Sequence, residues 1–381
     1  MDGSSDQKCV MIIAGETSGD LHGSKLVSAM RKRNKGLFFC GIGGRALKEA
    51  GVKILMDASE LAVVGIIEVL SKMPNILKGL SVAKKALNTL RPDLLILIDF
   101  PDFNLHLASF AKKLRTPVLY YISPQIWAWR SGRVRKIGKI VDHMAVILPF
   151  EEDFYRGHQI PVTFVGHPLL DTHASSQNKT LNRHTKDNPV IGFFPGSRNG
   201  EIARHLPIMI NAARILHRKI DNVKFLISLA PEVKRTSVEG IIKKNKTAFP
   251  FELVADSSEK VFERSTLVVA ASGTVTLEAA ISGTPMVIIY KVSPISYWVG
   301  RAMIQVKHIG LVNLIAGRKI VPELLQKAAS PTRISDTVLE MLRDPSDLER
   351  IRLELLNIRD LLGGPGASER VADIALGMMQ F

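Results

Sequence analysis

The chain has 381 residues, of which 46% are hydrophobic and 23% charged, with a formal net charge of +15. This is the composition of a soluble globular protein able to bury a large core, split over about two domains. No apolar run approaches the roughly 20 residues that span a bilayer. The two cysteines, Cys9 and Cys40, stand apart from any Cys/His cluster that would hold a metal, and the basic excess calls for an anionic partner.

The first residues, Met1-Asp2-Gly3-Ser4-Ser5-Asp6, lack the charged and apolar regions of a signal peptide, so the protein is expected in the cytoplasm. Short apolar strands then alternate with helical patterns, which predicts parallel sheets covered on both faces. The first strand, Cys9 to Ala14, runs into Gly15-Glu16-Thr17-Ser18-Gly19-Asp20 and a helix to about Arg33. A second, Leu37 to Gly41, meets Gly41-Ile42-Gly43-Gly44-Arg45-Ala46, which matches the dinucleotide pattern Gly-x-Gly-x-x-Ala. That match follows the wrong strand and lacks the acidic residue closing the second, so an NAD-linked oxidoreductase ranks last among the readings.

Leu61 to Leu70 is apolar, and from Pro74 a helix carries Ile76, Leu77, Leu80, Ala83, Leu87 and Leu90 on one side, ringed by Lys72, Lys78, Lys84 and Lys85. Arg91-Pro92-Asp93 stops it, and Leu94-Leu95-Ile96-Leu97-Ile98 is a fully buried strand with Asp99 at its carboxyl end, where open α/β sheets bind ligands. Strands at Val118 to Ile122 and Met144 to Leu148 flank Ser123-Pro124-Gln125-Ile126-Trp127-Ala128-Trp129-Arg130 and a basic helix, Arg133 to Lys139. The paired tryptophans form either a wall for something amphipathic or interdomain packing. The polar run Thr172 to Asn188 reads as a linker, after which strands recur near Val190, Phe225, Leu253, Leu267 and Met286, and Leu348 to Phe381 is helical.

Two strand-to-helix turns in the second half suit an anion. Val268 to Ala271 turns over Ser272-Gly273-Thr274 into a helix, aiming unpaired N–H groups and a helix dipole at one point. Val190 to Phe194 turns over Pro195-Gly196-Ser197-Arg198, where Gly196 admits close approach, Ser197 caps and Arg198 offers a bidentate fork. Two such turns in one α/β half point to a nucleotide diphosphate, although ordinary capped turns use the same residue types. Against nucleic acid, the basic residues are dispersed and no helix-turn-helix, zinc-finger or aromatic RNA-binding signature is present.

These turns complete a longer series: Ala14-Gly15-Glu16-Thr17-Ser18-Gly19-Asp20, Glu60-Leu61-Ala62-Val63-Val64-Gly65, Ile98-Asp99-Phe100-Pro101-Asp102-Phe103-Asn104, Ser123 to Arg130, Pro195 to Arg198, Ala271 to Thr274, and Asn313-Leu314-Ile315-Ala316-Gly317-Arg318. In this order the chain resembles the lipid-A-disaccharide synthase family, and Val312 stands where its members often have Pro. The resemblance implies an α/β fold of two Rossmann-like domains with parallel sheets facing a cleft, the GT-B type of glycosyltransferase. Domains are expected over 1–172, for acceptor and membrane, and 188–345, for nucleotide sugar; helices over 346–381 return to the first domain or to a partner chain. It further implies an inverting, metal-independent reaction without a cofactor. UDP-2,3-diacylglucosamine is joined to 2,3-diacylglucosamine 1-phosphate by a β-1,6 bond, at the cytoplasmic face of the inner membrane of a Gram-negative bacterium. A homodimer is left open.

Inverting transfer needs one base on the acceptor side. Asp99, whose family counterpart is regarded as essential, is the expected base, with Glu16 and Asp102 as lesser candidates; a capping carboxylate in a tight turn is the bland alternative. Ser18, Asn104, Trp127 and Arg130 fall on the same side. Gly196, Ser197, Arg198, Ser272, Gly273, Thr274 and Asn313 are expected to hold the diphosphate, and Glu278 either the ribose or a place on the helix surface. Asp-x-Asp, the metal-nucleotide clamp of other glycosyltransferases, is absent from the sequence. Val64, Ile67, Leu70, Met73, Ile76, Leu77 and Leu80 with Lys72 and Lys78 form either a docking surface for anionic lipid or a helix face packed on the sheet. A sugar-nucleotide epimerase of the same architecture and a non-enzymatic nucleotide-binding membrane module are the alternatives, both disfavoured by Asp99 in its Phe-Pro-Asp-Phe-Asn setting.

Overall fold

The computed structural model describes residues 7–61, 66–129, 131–172, 188–231, 233–247, 249–255, 257–292 and 306–380, with the side chains of 66–72, 129 and 131 outside the description. The chain divides into two compact units, Met1–Asp171 with Leu362–Phe381, and Thr172–Leu361. Val64, Arg130 and the linker residues 173–187 lie outside the described residues, as do the side chains of Ile67, Leu70 and Lys72.

The first unit holds seven parallel strands: β1 (Cys9–Ala14), β2 (Phe38–Gly43), β3 (Lys53–Asp57), β4 (Leu94–Ile98), β5 (Val118–Tyr121), β6 (His143–Val146) and β7 (Val162–Phe164), in the order β3-β2-β1-β4-β5-β6-β7. Alternation along the strands supplies both faces. Met11, Ile13, Leu95, Leu97 and Tyr120 join one core with Ala83 and Leu87 of helix Ile66–Leu90 and Leu107 and Ala111 of helix Pro101–Lys113. Val10, Ile12, Leu94, Ile96 and Tyr121 join the other, with Leu26 and Met30 of helix Thr17–Arg33 and Val371, Ala372 and Ala375 of helix Ala367–Met378. All five residues of β4 are buried, as expected of a central strand in a sheet covered on both sides.

The second unit holds six parallel strands: β8 (Val190–Phe194), β9 (Lys224–Leu229), β10 (Glu252–Ala255), β11 (Leu267–Ala271), β12 (Met286–Tyr290) and β13 (Glu323–Leu325), in the order β10-β9-β8-β11-β12-β13. Helix Pro345–Leu361 stays with this unit through buried Ile351, Leu355 and Ile358. The chain rejoins the first unit only at Leu362, one helix later than the boundary expected at 346. The crossing uses Gly363 and Gly366, at φ 83° and 94°, a region that glycine enters without steric cost. Gly366 N–H then meets the Asp171 carboxylate at 2.6 Å, and Arg33 pairs with Glu369 and Asp373 of the returning helix.

Candidate active site

In each sheet the chain leaves the starting strand in both directions, β1 toward β2 and β4, β8 toward β9 and β11. Crevices at the carboxyl ends of such strand pairs are where open α/β sheets bind ligands. Glu16 follows β1 and Asp99 follows β4; Pro195–Arg198 follow β8 and Ser272–Thr274 follow β11. The expected base and the expected diphosphate turns therefore each sit at a switch point.

The turn after β4 is strained. Asp99 and Phe100 have successive positive φ values of 45° and 47°, before Pro101 starts the next helix. A bulky residue in this left-handed region costs on the order of 1–3 kcal/mol, and such cost persists only where the surroundings impose it. Here they do: the Phe100 ring lies where a Cβ on Gly15 would be, and it packs 5.2 Å from Phe103. Asp99 is half-buried, and burial pushes its carboxyl up to about 6, with the charge of Glu16 adding and the Phe100 backbone N–H opposing. That is the range a general base needs near neutral pH.

Glu16 and Ser18 are exposed at the start of helix Thr17–Arg33. Asp102 is exposed and pairs with Arg133 at 2.7 Å, whereas Asn104 is fully buried beneath the turn and offers no surface to a substrate. Trp127 is half-buried, its indole N–H donates to Glu151 Oε1 at 2.9 Å, and its ring stands edge-on to Phe150. Glu151, 1% exposed, also accepts from Leu148 N at 3.1 Å, and burial pushes its carboxyl up to about 7. Spacing along the chain gave no sign of this buried acid.

Of the helix starts that follow Gly44, Gly310, Arg198 and Ser272-Gly273-Thr274, the first three are covered by the protein's own carboxylates, as Asp171 covers the one at Gly366. Asp20 accepts from Gly44, Ala46 and Leu47 N–H at 2.6, 2.8 and 3.2 Å, so the glycine-rich match near Gly41 has no vacancy for a pyrophosphate. Glu323 accepts from Ile309 N, Gly310 N and Asn313 Nδ2 at 3.0, 3.1 and 2.7 Å. Glu201 folds back to accept from Ser197 N at 3.2 Å and lies 3.7 Å from Arg198 Nη1. Gly196, at φ 119°, lacks the Cβ that would collide with this carboxylate.

The fourth start, Ser272-Gly273-Thr274, is open. Gly273 and Thr274 are exposed, nothing lies within 4 Å of where a Cβ on Gly273 would stand, and among the described residues no group takes their backbone N–H groups. Glu278 is half-buried and accepts from Ser258 Oγ at 2.6 Å, through one of its two carboxylate oxygens. Asn313 differs from expectation: it is 0% exposed, its Oδ1 takes Ile320 and Val321 N–H and its Nδ2 reaches Val321 O and Glu323. With every hydrogen-bonding position filled, this carboxamide pins the loop rather than facing a diphosphate. Val312 occupies the first turn of helix Leu311–Ala316, where Pro is also tolerated, so that departure alters little.

Comparison with known proteins decides the family. A family model described as lipid-A-disaccharide synthetase matches residues 10–364. The lipid-A-disaccharide synthase of Syntrophus aciditrophicus is 49% identical over 98% of this chain and 99% of its own length. That of Geobacter metallireducens is 45% identical over 99% of each. The chain belongs to the lipid-A-disaccharide synthase family. It is thereby a glycosyltransferase of lipid A biosynthesis.

Solved structures agree on the fold. MurG of Acinetobacter baumannii superposes with a TM-score of 0.62 at 14% identity, over 97% of this chain and 99% of that one. UDP-GlcNAc 2-epimerase of Neisseria meningitidis, bound to UDP-GlcNAc, superposes with a TM-score of 0.66 at 14% identity, over 97% and 100%. The architecture is GT-B, shared by synthases and epimerases alike, and the family membership separates the two.

Proposed function

We propose that this synthase joins UDP-2,3-diacylglucosamine to 2,3-diacylglucosamine 1-phosphate with inversion, giving the β-1,6-linked disaccharide 1-phosphate and UDP. Asp99 takes the proton of the acceptor hydroxyl as that oxygen bonds to the donor's anomeric carbon. The bond from that carbon to the diphosphate breaks, and UDP leaves with the electron pair. Arg198 and the open N–H groups at Gly273 and Thr274 receive the charge that develops on it. Glu278 holds the ribose. The observation that carries this reading is Asp99 itself, a half-buried carboxylate held in a strained turn at the switch point of the first sheet. A mass assay with both acylated substrates tests it: disaccharide phosphate and UDP in equal amounts are expected, and their absence from active, folded protein would overturn it.

Acylated substrates have to be met at a lipid surface, and among the described residues no helix is long and apolar enough to cross a membrane. Helix Ile66–Leu90 supports peripheral docking on an anionic inner-membrane face. Met73 and Leu77 are 39% and 59% exposed, which supports docking through them, while Ile76 and Leu80 pack against the core. Lys78 flanks the exposed pair and bonds Glu60 at 3.4 Å. Replacing Met73 and Leu77 with Ser is expected to leave the melting temperature unchanged and lower co-sedimentation with anionic vesicles several-fold, since each buried CH₂ contributes about 0.8 kcal/mol. Unchanged vesicle binding would move the contact elsewhere.

A further inference from the structure

The backbone carbonyl of Asp99 accepts two hydrogen bonds from buried side chains, each at 2.6 Å, one from the Tyr120 hydroxyl and one from Asn104 Nδ2. Both donors are 0% exposed. Asn104 Nδ2 also reaches Ile98 O at 3.2 Å, its backbone N–H meets Phe100 O at 3.1 Å, and its Oδ1 has no partner among the described residues. A carbonyl at a strand end needs one donor to be satisfied. This one has two, spent where the backbone is least comfortable, across the successive left-handed residues Asp99 and Phe100.

We infer that Tyr120 and Asn104 are positioning residues for the transfer, clamping the carbonyl of Asp99 so that the strained turn cannot relax and its carboxylate keeps its aim. The inference rests on Asp99 as the base. The two clamps come from different elements: Tyr120 lies on β5, beside β4, and Asn104 on the helix that the turn begins. Burial and the nearby Asp99 charge hold the Tyr120 phenol well above its usual range, so it remains a proton donor throughout the working pH range. A relaxed turn returns Asp99 and Phe100 toward the common backbone regions, which redirects the carboxylate while leaving the sheet below it intact. Displacements of that size, about 1 Å at a reacting group, cost up to about a hundredfold in rate.

Tyr120→Phe removes only the hydroxyl and keeps the ring in its core. It is expected to lower kcat about tenfold, as loss of one net hydrogen bond allows. KM for both substrates and the affinity for UDP should stay within about twofold, because no group that touches a ligand has changed. In an Asp99→Asn background the same substitution should cost nothing further, since there is no base left to aim. Wild-type kcat in Tyr120→Phe would overturn the inference, and so would an equal fractional loss with and without Asp99, the signature of a general structural role. Asn104→Ala, should it fold, is expected to behave alike and to lose more in combination with Tyr120→Phe. Should Asp99→Asn itself stay active, the assignment of the base fails, and that result is distinct from either outcome at Tyr120.

Discussion

Asp99→Asn is expected to lower turnover by roughly 10²–10⁴-fold, the usual contribution of one positioned base, while UDP affinity stays within a few-fold. The amide fills the same space and cannot take the acceptor's proton. The wild-type rate should fall as pH drops through about 6, because burial and Glu16 keep the Asp99 carboxyl protonated up to that range. The stability consequence runs the other way. A carboxyl whose folded pKa is raised favours the fold below its unfolded pKa and loses that contribution as pH rises through the folded value, here about 6. At pH 8 the native protein therefore carries an unfavourable buried charge, and Asp99→Asn should raise the melting temperature there and change it little at pH 4. Calorimetric scans at the two pH values, beside initial rates, check both parts. A variant that retains more than about a tenth of the activity would place the base elsewhere.

The placement of the candidate base at a sheet's ligand edge was legible in the sequence. Leu94 to Ile98 could only be a central strand, and a carboxylate at its end belongs at the ligand edge of the sheet. The edge strands β3, β7 and β13 were not foreseen, because only one of their eleven residues is buried and no apolar run longer than the three residues Ile54 to Met56 marks them. Ile66 to Leu70 proved to open helix Ile66–Leu90, whose exposed and packed residues share one sequence pattern and part only in three dimensions. Asn313 shows the limit most clearly. A polar residue in a glycine-containing loop reads the same whether it faces a ligand or, as here, turns inward onto Ile320, Val321 and Glu323. The carboxylates of Asp20 and Glu323 that cover helix starts lie 24 and 13 residues from glycines they serve, Gly44 and Gly310, so no local spacing announces them. Glu201 is different: a glutamate in the first turn after Arg198 is a recognisable capping position, and it was there to be read.

Arg198→Ala is expected to weaken UDP binding by about ten- to a hundredfold, since a charge-assisted contact to phosphate contributes on the order of 1.5–3 kcal/mol. Arg198 is more than half exposed and ends at Glu201, 3.7 Å away, so its guanidinium is paired only loosely. The same Glu201 takes the Ser197 N–H, the other donor of this turn. In the proposed donor seat a diphosphate would compete with this carboxylate for both groups. That competition predicts a second result of opposite sign: Glu201→Gln, which can still accept from Ser197 but carries no charge, should tighten UDP binding by up to about fivefold, the scale of an exposed ion pair. The two substitutions together should not add, because without Arg198 most of the contest disappears. Calorimetric titration of UDP into the three variants and the parent supplies the cycle. Unchanged affinity and rate in Arg198→Ala would remove this turn from the donor seat. Weaker binding in Glu201→Gln would mean that the carboxylate builds the seat for the diphosphate instead of occupying it.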